Sequence, residues 1–235
     1  MLGVWSVLDE SRDRVGARLI LSLAERLASQ EKRVLVFELC PQRPTLDILF
    51  GMDEKVVYTL ADVGEVTPDR ALLSAKKNIF FVPSITDLAC KDTVGDAIGA
   101  CIAEVKPDVT LILFERAVYE PVRAISDGVL LLTDPSAASL RASAAFVENF
   151  PVTGWLLSDF TSVRQSLSAR ALSDMLCATL IGILPRLDGD NTYCITRKDF
   201  LFAVRNIAAR LSGQNVPLLC GLSGKRSYYK AFLEG

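Results

Sequence analysis

Brief, wholly apolar runs alternate with stretches whose apolar residues recur every three or four positions, and the alternation continues along the sequence. Leu2–Leu8, Val34–Leu39, Ile79–Val82, Val109–Phe114, Val129–Thr133, Gly154–Leu157 and Leu180–Leu184 are short and rich in Val, Ile, Leu and Phe. Such runs predict strands buried on both faces, as in a parallel sheet. Between them, Leu19, Leu23 and Leu27 follow helical spacing, as do Ile98, Cys101, Ile102 and Val105, and later Phe200, Val204, Ile207 and Leu211. Strands alternating with helices imply right-handed crossovers. The predicted fold is α/β: a doubly wound, mainly parallel sheet of seven to eight strands with helices on both faces. In such sheets ligands sit beyond the carboxyl ends of the strands, so function is read in the loops that follow them.

Composition narrows the chemistry. The 235 residues are half hydrophobic, with 23% charged, and no linker-like segment or internal repeat interrupts them. This predicts one domain over residues 1–221 and a short tail over 222–235. Lys and Arg number 26 against 28 Asp and Glu, a balance that gives no reason to expect a nucleic-acid partner. The sequence has no histidine, which excludes His-based triads and the commonest zinc ligand. The six cysteines show no C-x-x-C spacing and read as reduced thiols, those beyond Cys40 as small core residues. The amino terminus lacks the basic flank and apolar length of a signal peptide, so the expected location is cytoplasmic.

The loop after the first predicted strand, Asp9-Glu10-Ser11-Arg12-Asp13-Arg14-Val15-Gly16-Ala17-Arg18, is where a phosphate cradle would lie. After the second strand come Glu38-Leu39-Cys40-Pro41-Gln42 and then Leu46-Asp47-Ile48-Leu49-Phe50-Gly51. This stretch resembles switch I of the MinD/ParA family of deviant-Walker ATPases. Further similarities follow in family order: Val57-Tyr58-Thr59-Leu60-Ala61-Asp62-Val63, Asn78 to Pro83, Asp127 to Pro135, Ile181 to Pro185, and a final helix through Asn206 to Gly213. The resemblance covers nearly the whole chain. It implies a P-loop NTPase-like fold, ATP as ligand, and a dimer whose face includes the loops around Gly16, Glu38 and Arg116.

The departures from the family pattern fall on its chemistry. A working loop of this type places glycines, lysines and a hydroxyl around the phosphates and magnesium. Here Val15-Gly16 remains, Ala17 stands at the position of the P-loop lysine, Arg18 stands at that of the magnesium-binding hydroxyl, and no lysine precedes Lys32. Asp9, Glu10 and Asp13 add negative charge where phosphate would bind. In switch I, Glu38 keeps the first carboxylate, while Cys40 replaces the second, which orients the attacking water. After the fourth run, Leu113-Phe114-Glu115-Arg116-Ala117 lacks the glycine-containing turn of switch II, and Ser158 replaces the adenine-reading Asn. The resemblance therefore implies a vestigial nucleotide site at Gly16, Arg18 and Glu38, with no catalytic residue, no metal ligand and no required cofactor. Arg12, Arg14 and Arg18 read as members of a self-paired loop rather than an anion site.

The end of the chain resembles a MinD-type membrane-targeting tail. If helical, Tyr228, Tyr229, Phe232 and Leu233 share one side, while Lys225, Arg226 and Lys230 are placed to meet anionic headgroups. An aromatic tail packed on its own domain is the alternative. The expected function is that of a catalytically degenerate pseudo-ATPase acting as a dimerising scaffold or positioning protein for a cell-pole or membrane assembly in pilus biogenesis, as in TadZ or CpaE, or in division or flagellar placement. Its partner is then a second copy or another protein, and its location cytoplasmic or peripheral on the inner face of the membrane. Two alternatives stay open: an ATP-binding or slowly hydrolysing enzyme that uses Glu38 and Glu115, and a heterodimer partner of an intact paralogue.

Overall fold

The computed structural model describes residues 3–11, 15–40, 45–83, 93–160, 169–185, 198–216 and 218. The strands are β1 (Gly3–Asp9), β2 (Val34–Leu39), β3 (Leu73–Lys76), β4 (Ile79–Val82), β5 (Val109–Phe114), β6 (Gly128–Thr133), β7 (Gly154–Phe160) and β8 (Thr179–Pro185). The helices are α1 (Val15–Ala28), α2 (Leu46–Phe50), α3 (Pro68–Ala71), α4 (Val94–Val105), α5 (Tyr119–Ile125), α6 (Ala137–Val147), α7 (Ala169–Met175) and α8 (Lys198–Leu211). The strands form an eight-stranded sheet in the order β3-β4-β2-β5-β1-β6-β7-β8. All seven predicted runs are strands of this sheet. Every residue of β2, β5 and β6 is buried, the reason those segments read as continuous apolar runs rather than as alternating ones.

Sequence reasoning missed β3. It pairs antiparallel with β4 through a short turn at Lys77 and Asn78, and its side chains alternate between half-buried and exposed. Leu73-Ser74-Ala75-Lys76 holds too few large apolar residues to register as a buried run. Lys76 forms an ion pair with Glu25, placing charge on this edge strand.

The chain divides into two compact units, Met1–Leu8 with Gly16–Val129, and Asp9–Val15 with Leu130–Gly235. In the first unit β5 pairs in parallel with both β1 and β2. Helix α1 buries Val15, Leu19, Leu23 and Leu27, and α4 buries Val94, Ala97, Ile98, Cys101 and Val105, so the predicted helical spacing marks the core face of each. Gly128 approaches Trp5 so closely that a Cβ there would lie 2.3 Å from the indole ring.

In the second unit β7 pairs in parallel with β6 and β8. Helix α8 buries Phe200, Val204, Ile207 and Leu211, as predicted. Gly182 of β8 admits Ile207, since a Cβ at residue 182 would stand 2.4 Å from the isoleucine side chain. Trp155 and, in the first unit, Tyr119 are buried, in keeping with their reading as core or rim aromatics. Cys101 and Cys40 are also buried. Cys177 corrects the expectation for the remaining cysteines: it is exposed in the turn after α7, with a left-handed backbone (φ 46°) that takes it out of the apolar interior. Cys90, Cys194 and Cys220 lie outside the described residues.

Candidate functional site

Within the first unit, strand register fixes where the site residues stand. Glu38 is level with Leu113 of β5, and Leu113 is level with Val7 of β1. Glu38 and Val7 are therefore two strand spacings apart, about 10 Å, at the carboxyl ends of parallel strands. Gly16 is the second residue of α1 and is buried, as is Ala17, while Arg18 is half-buried in the first helical turn. The topology thus brings the end of β2 and the end of β1 to one edge of the sheet. Ala17, expected from the sequence at the place of the P-loop lysine, presents a buried methyl.

Glu38 is 1% exposed and its carboxylate is occupied. Thr45 donates its backbone N–H to both carboxylate oxygens at 3.0 Å, and Leu46 donates its N–H to Oε2 at 3.0 Å. These are N–H groups at the start of α2, which the helix cannot satisfy internally. Thr45 precedes the helix, and its side chain makes no capping hydrogen bond to it, so a carboxylate seven residues upstream performs that service. Burial pushes the Glu38 carboxyl up to about 7, with the negative charge of Asp47 adding to the rise; the bonds from Leu46 and Thr45 oppose it. Cys40, two residues on, is buried at the end of the strand.

After β5 the chain enters a 3-10 turn, Arg116–Val118, that runs directly into α5. Glu115 is half-buried, and Arg116 and Ala117 are exposed. The backbone here is helical within two residues of the strand, and no glycine interrupts it.

In the second unit, the Asp9 carboxylate accepts both the backbone N–H and the hydroxyl of Ser11, at 2.9 and 2.5 Å. The Ser11 oxygen in turn accepts the N–H of Val15, at 3.2 Å, at the entry to α1. A carboxylate and a hydroxyl of the predicted phosphate loop are thus engaged with each other and with the helix start. At the end of β6, buried Asp134 accepts the N–H of Ser136 at 2.7 Å and the hydroxyl of Ser139 at 2.6 Å, and the Ser136 oxygen caps α6 through the Ser139 N–H. Ser158, at the expected base-reading position, is buried and donates its hydroxyl to the Thr133 carbonyl at 3.3 Å. Sequence reasoning did not single out Asp134, although the spacing of Asp134, Ser136 and Ser139 is a helix-start signal. Arg12, Asp13 and Arg14 of the loop lie outside the described residues, as do Lys225, Arg226, Tyr228, Tyr229, Lys230, Phe232 and Leu233 of the tail. No helix among the described residues is long and apolar enough to cross a membrane.

Parallel strands in this order, with connecting helices and a helix start beside the end of β1, define a P-loop NTPase-like α/β fold. No model of a known protein family matches the sequence. The septum site-determining protein MinD of Synechocystis sp. is 24% identical over 228 residues, covering 84% of this chain and 85% of that protein. Its counterpart from Thermotoga maritima is 24% identical over 250 residues, covering 90% and 89%. Two solved structures establish the same fold. MinD in the MinC:MinD cell division complex of Aquifex aeolicus has a TM-score of 0.77 at 19% identity, over 92% of this chain and 98% of that one. The cell division ATPase MinD of Pyrococcus furiosus gives 0.73 at 16%, over 91% and 99%. In sequence the chain is similar to these MinD proteins, and it shares the fold of the MinD/ParA ATPases.

Proposed function

We propose that this chain is a catalytically degenerate member of the MinD/ParA family, a scaffold that binds a second copy or another protein and positions an assembly at a cell pole or membrane. One observation carries the reading: the carboxylate retained from switch I, Glu38, is buried and committed to the N-terminus of α2. A carboxylate in that position is spent on the fold and is not presented to a water or a metal. The residues at the other family positions agree. Ala17 offers no ammonium for phosphate, Arg18 no hydroxyl for magnesium, Cys40 no carboxylate for water, and the Ser158 hydroxyl is turned to a backbone carbonyl. These residues do not fit magnesium-bound ATP, whose transfer chemistry depends on charge-stabilising donors at those places. Protein binding in the family supports the second half of the reading, since Aquifex aeolicus MinD is solved in a complex with MinC.

Phosphate release from ATP with magnesium tests the first half. The expected rate is that of buffer, for the wild type and for Glu38→Gln alike; magnesium-dependent release that Glu38→Gln abolishes would return the chain to the enzymes. Membrane positioning is assigned to Lys225, Arg226, Tyr228, Tyr229, Lys230, Phe232 and Leu233. Full-length protein is expected to float with anionic liposomes and a chain ending at Gly221 to stay behind; equal flotation of the two would remove the tail from the account.

A further inference from the structure

Helix α8 has two unlike sides. Toward the interior it buries Phe200, Ala203, Val204, Ile207 and Leu211. Lys198, Leu201, Phe202, Arg205 and Ala209 recur at helical spacing on the opposite side and form one stripe along the axis. Lys198, Leu201 and Arg205 are exposed, Leu201 at 44%, while Phe202 is half-buried with the Lys198 ammonium 5.8 Å from its ring centroid. Asp199, the only acid of the helix, is half-buried and lies off the stripe. Apolar groups held out to solvent between cations are the pattern of a helix face that meets a lipid headgroup layer. The charge beyond the helix continues it. From residue 198 onward stand Lys198, Arg205, Arg210, Lys225, Arg226 and Lys230 against Asp199 and Glu234, in a protein whose formal net charge is −2. The Arg210 guanidinium donates to the Val216 carbonyl at 2.8 Å, so the segment leading to the tail starts against α8.

We infer that the stripe of α8 through Lys198, Leu201, Phe202 and Arg205 is a second membrane contact, lying on an anionic lipid surface with its cations at the headgroups and its apolar side chains at the boundary beneath them. The inference rests on the membrane positioning proposed above and adds to it a surface of the folded domain. Charge selects the occupant. The chain's own tail carries Lys225, Arg226 and Lys230, and a second copy would present the same two cations across a two-fold axis, so like charge opposes both. Anionic lipid satisfies Lys198 and Arg205 and gives Leu201 and Phe202 an apolar place that a nucleic-acid backbone does not offer. Two cations and two apolar side chains hold a bilayer weakly by themselves. Tethered beside a tail that engages the same bilayer, they bind it intramolecularly and fix which side of α8 faces the membrane.

The test uses the full-length protein and vesicles of phosphatidylglycerol and phosphatidylcholine, followed by flotation and by tryptophan fluorescence. Lys198→Glu with Arg205→Glu, and separately Leu201→Asp, should each weaken vesicle binding about ten-fold or more and keep the wild-type melting curve, since the replaced side chains are exposed. Lys55→Glu with Lys77→Glu makes the same charge change at exposed lysines elsewhere and should stay within about two-fold of the wild type. Leu201→Trp should show emission that brominated acyl chains quench beyond the quenching of the wild type. Unchanged binding in the α8 variants, an equal loss in the lysine pair, or no added quenching in Leu201→Trp would overturn the proposal. So would duplex-DNA binding that Lys198→Glu with Arg205→Glu abolishes while vesicle binding persists, which would assign the face to nucleic acid. The tail is judged separately by the chain ending at Gly221. Flotation of that chain equal to full length, with the α8 losses intact, would remove the tail and keep the face; no flotation of the wild type would remove both.

Discussion

Two strand ends solve the same problem with different reach. At the end of β6, Asp134 serves the helix that follows at once, taking an N–H two residues on and a hydroxyl five residues on, with Ser136 as an orthodox cap. At the end of β2, Glu38 serves α2 across a longer connection, accepting N–H groups seven and eight residues away. Asp134 completes a cap that local sequence already specifies. Glu38 replaces one that Thr45, a residue type suited to capping, does not make, and it does so with a buried carboxyl whose pKa is raised to about 7. Under the proposed function, a position that carries chemistry in the MinD/ParA family serves here as a fold determinant.

The comparison can be broken in order of effect. Glu38→Ala leaves the Thr45 and Leu46 N–H groups without their acceptor in a buried place, and should cost about 3 kcal/mol at pH 6 in urea unfolding. A loss below about 1 kcal/mol would mean that the clamp is dispensable. Glu38→Gln keeps one acceptor oxygen and should cost about a third as much.

The titration of Glu38 sharpens the same point. Its carboxyl is raised from the ordinary 4.5 to about 7, so between these values the folded chain holds a proton that the unfolded chain has released. Stability contributed by the neutral carboxyl is full below about pH 4.5 and is lost as pH rises through about 7, on the order of 3 kcal/mol. The difference in unfolding free energy between wild type and Glu38→Gln should therefore shift in favour of the variant as pH rises through this window, and should be flat above it. A difference independent of pH would remove the buried titration from the account. At the other strand end, Asp134→Ala should cost about 1–2 kcal/mol, because Ser136 still caps α6. Ser136→Ala should cost less, about 0.5–1 kcal/mol, with Asp134 left in place.

Much of the fold was legible because burial on both faces leaves a plain mark: seven apolar runs gave seven strands, and the leucine, isoleucine and phenylalanine spacing of α1, α4 and α8 gave their core faces. Strand β3 was not legible. An edge strand of four residues, half exposed and partly charged, carries no run to find. The site was legible in part. Gly16, Ala17, Arg18 and Glu38 were singled out from the sequence, and the register places the ends of β1 and β2, near which they stand, on one side of the sheet. What the sequence did not disclose is that Glu38 is engaged, because its partners are backbone N–H groups and any residue at 45 and 46 presents those. Cys177 was misread because its neighbours Leu176 and Leu180 are buried, while a left-handed turn puts the cysteine itself outside.

The central claim is that the residues around Gly16, Arg18 and Glu38 no longer hold a nucleotide for catalysis. Titration calorimetry of ATP and ADP into the full-length protein, with and without magnesium, at concentrations that detect tens-of-micromolar affinity, tests it most directly. The account predicts no saturable heat under any of the four conditions. Saturable, magnesium-dependent binding of ATP would contradict it, and would mean that the arginines of the loop have taken over the work of the missing lysines.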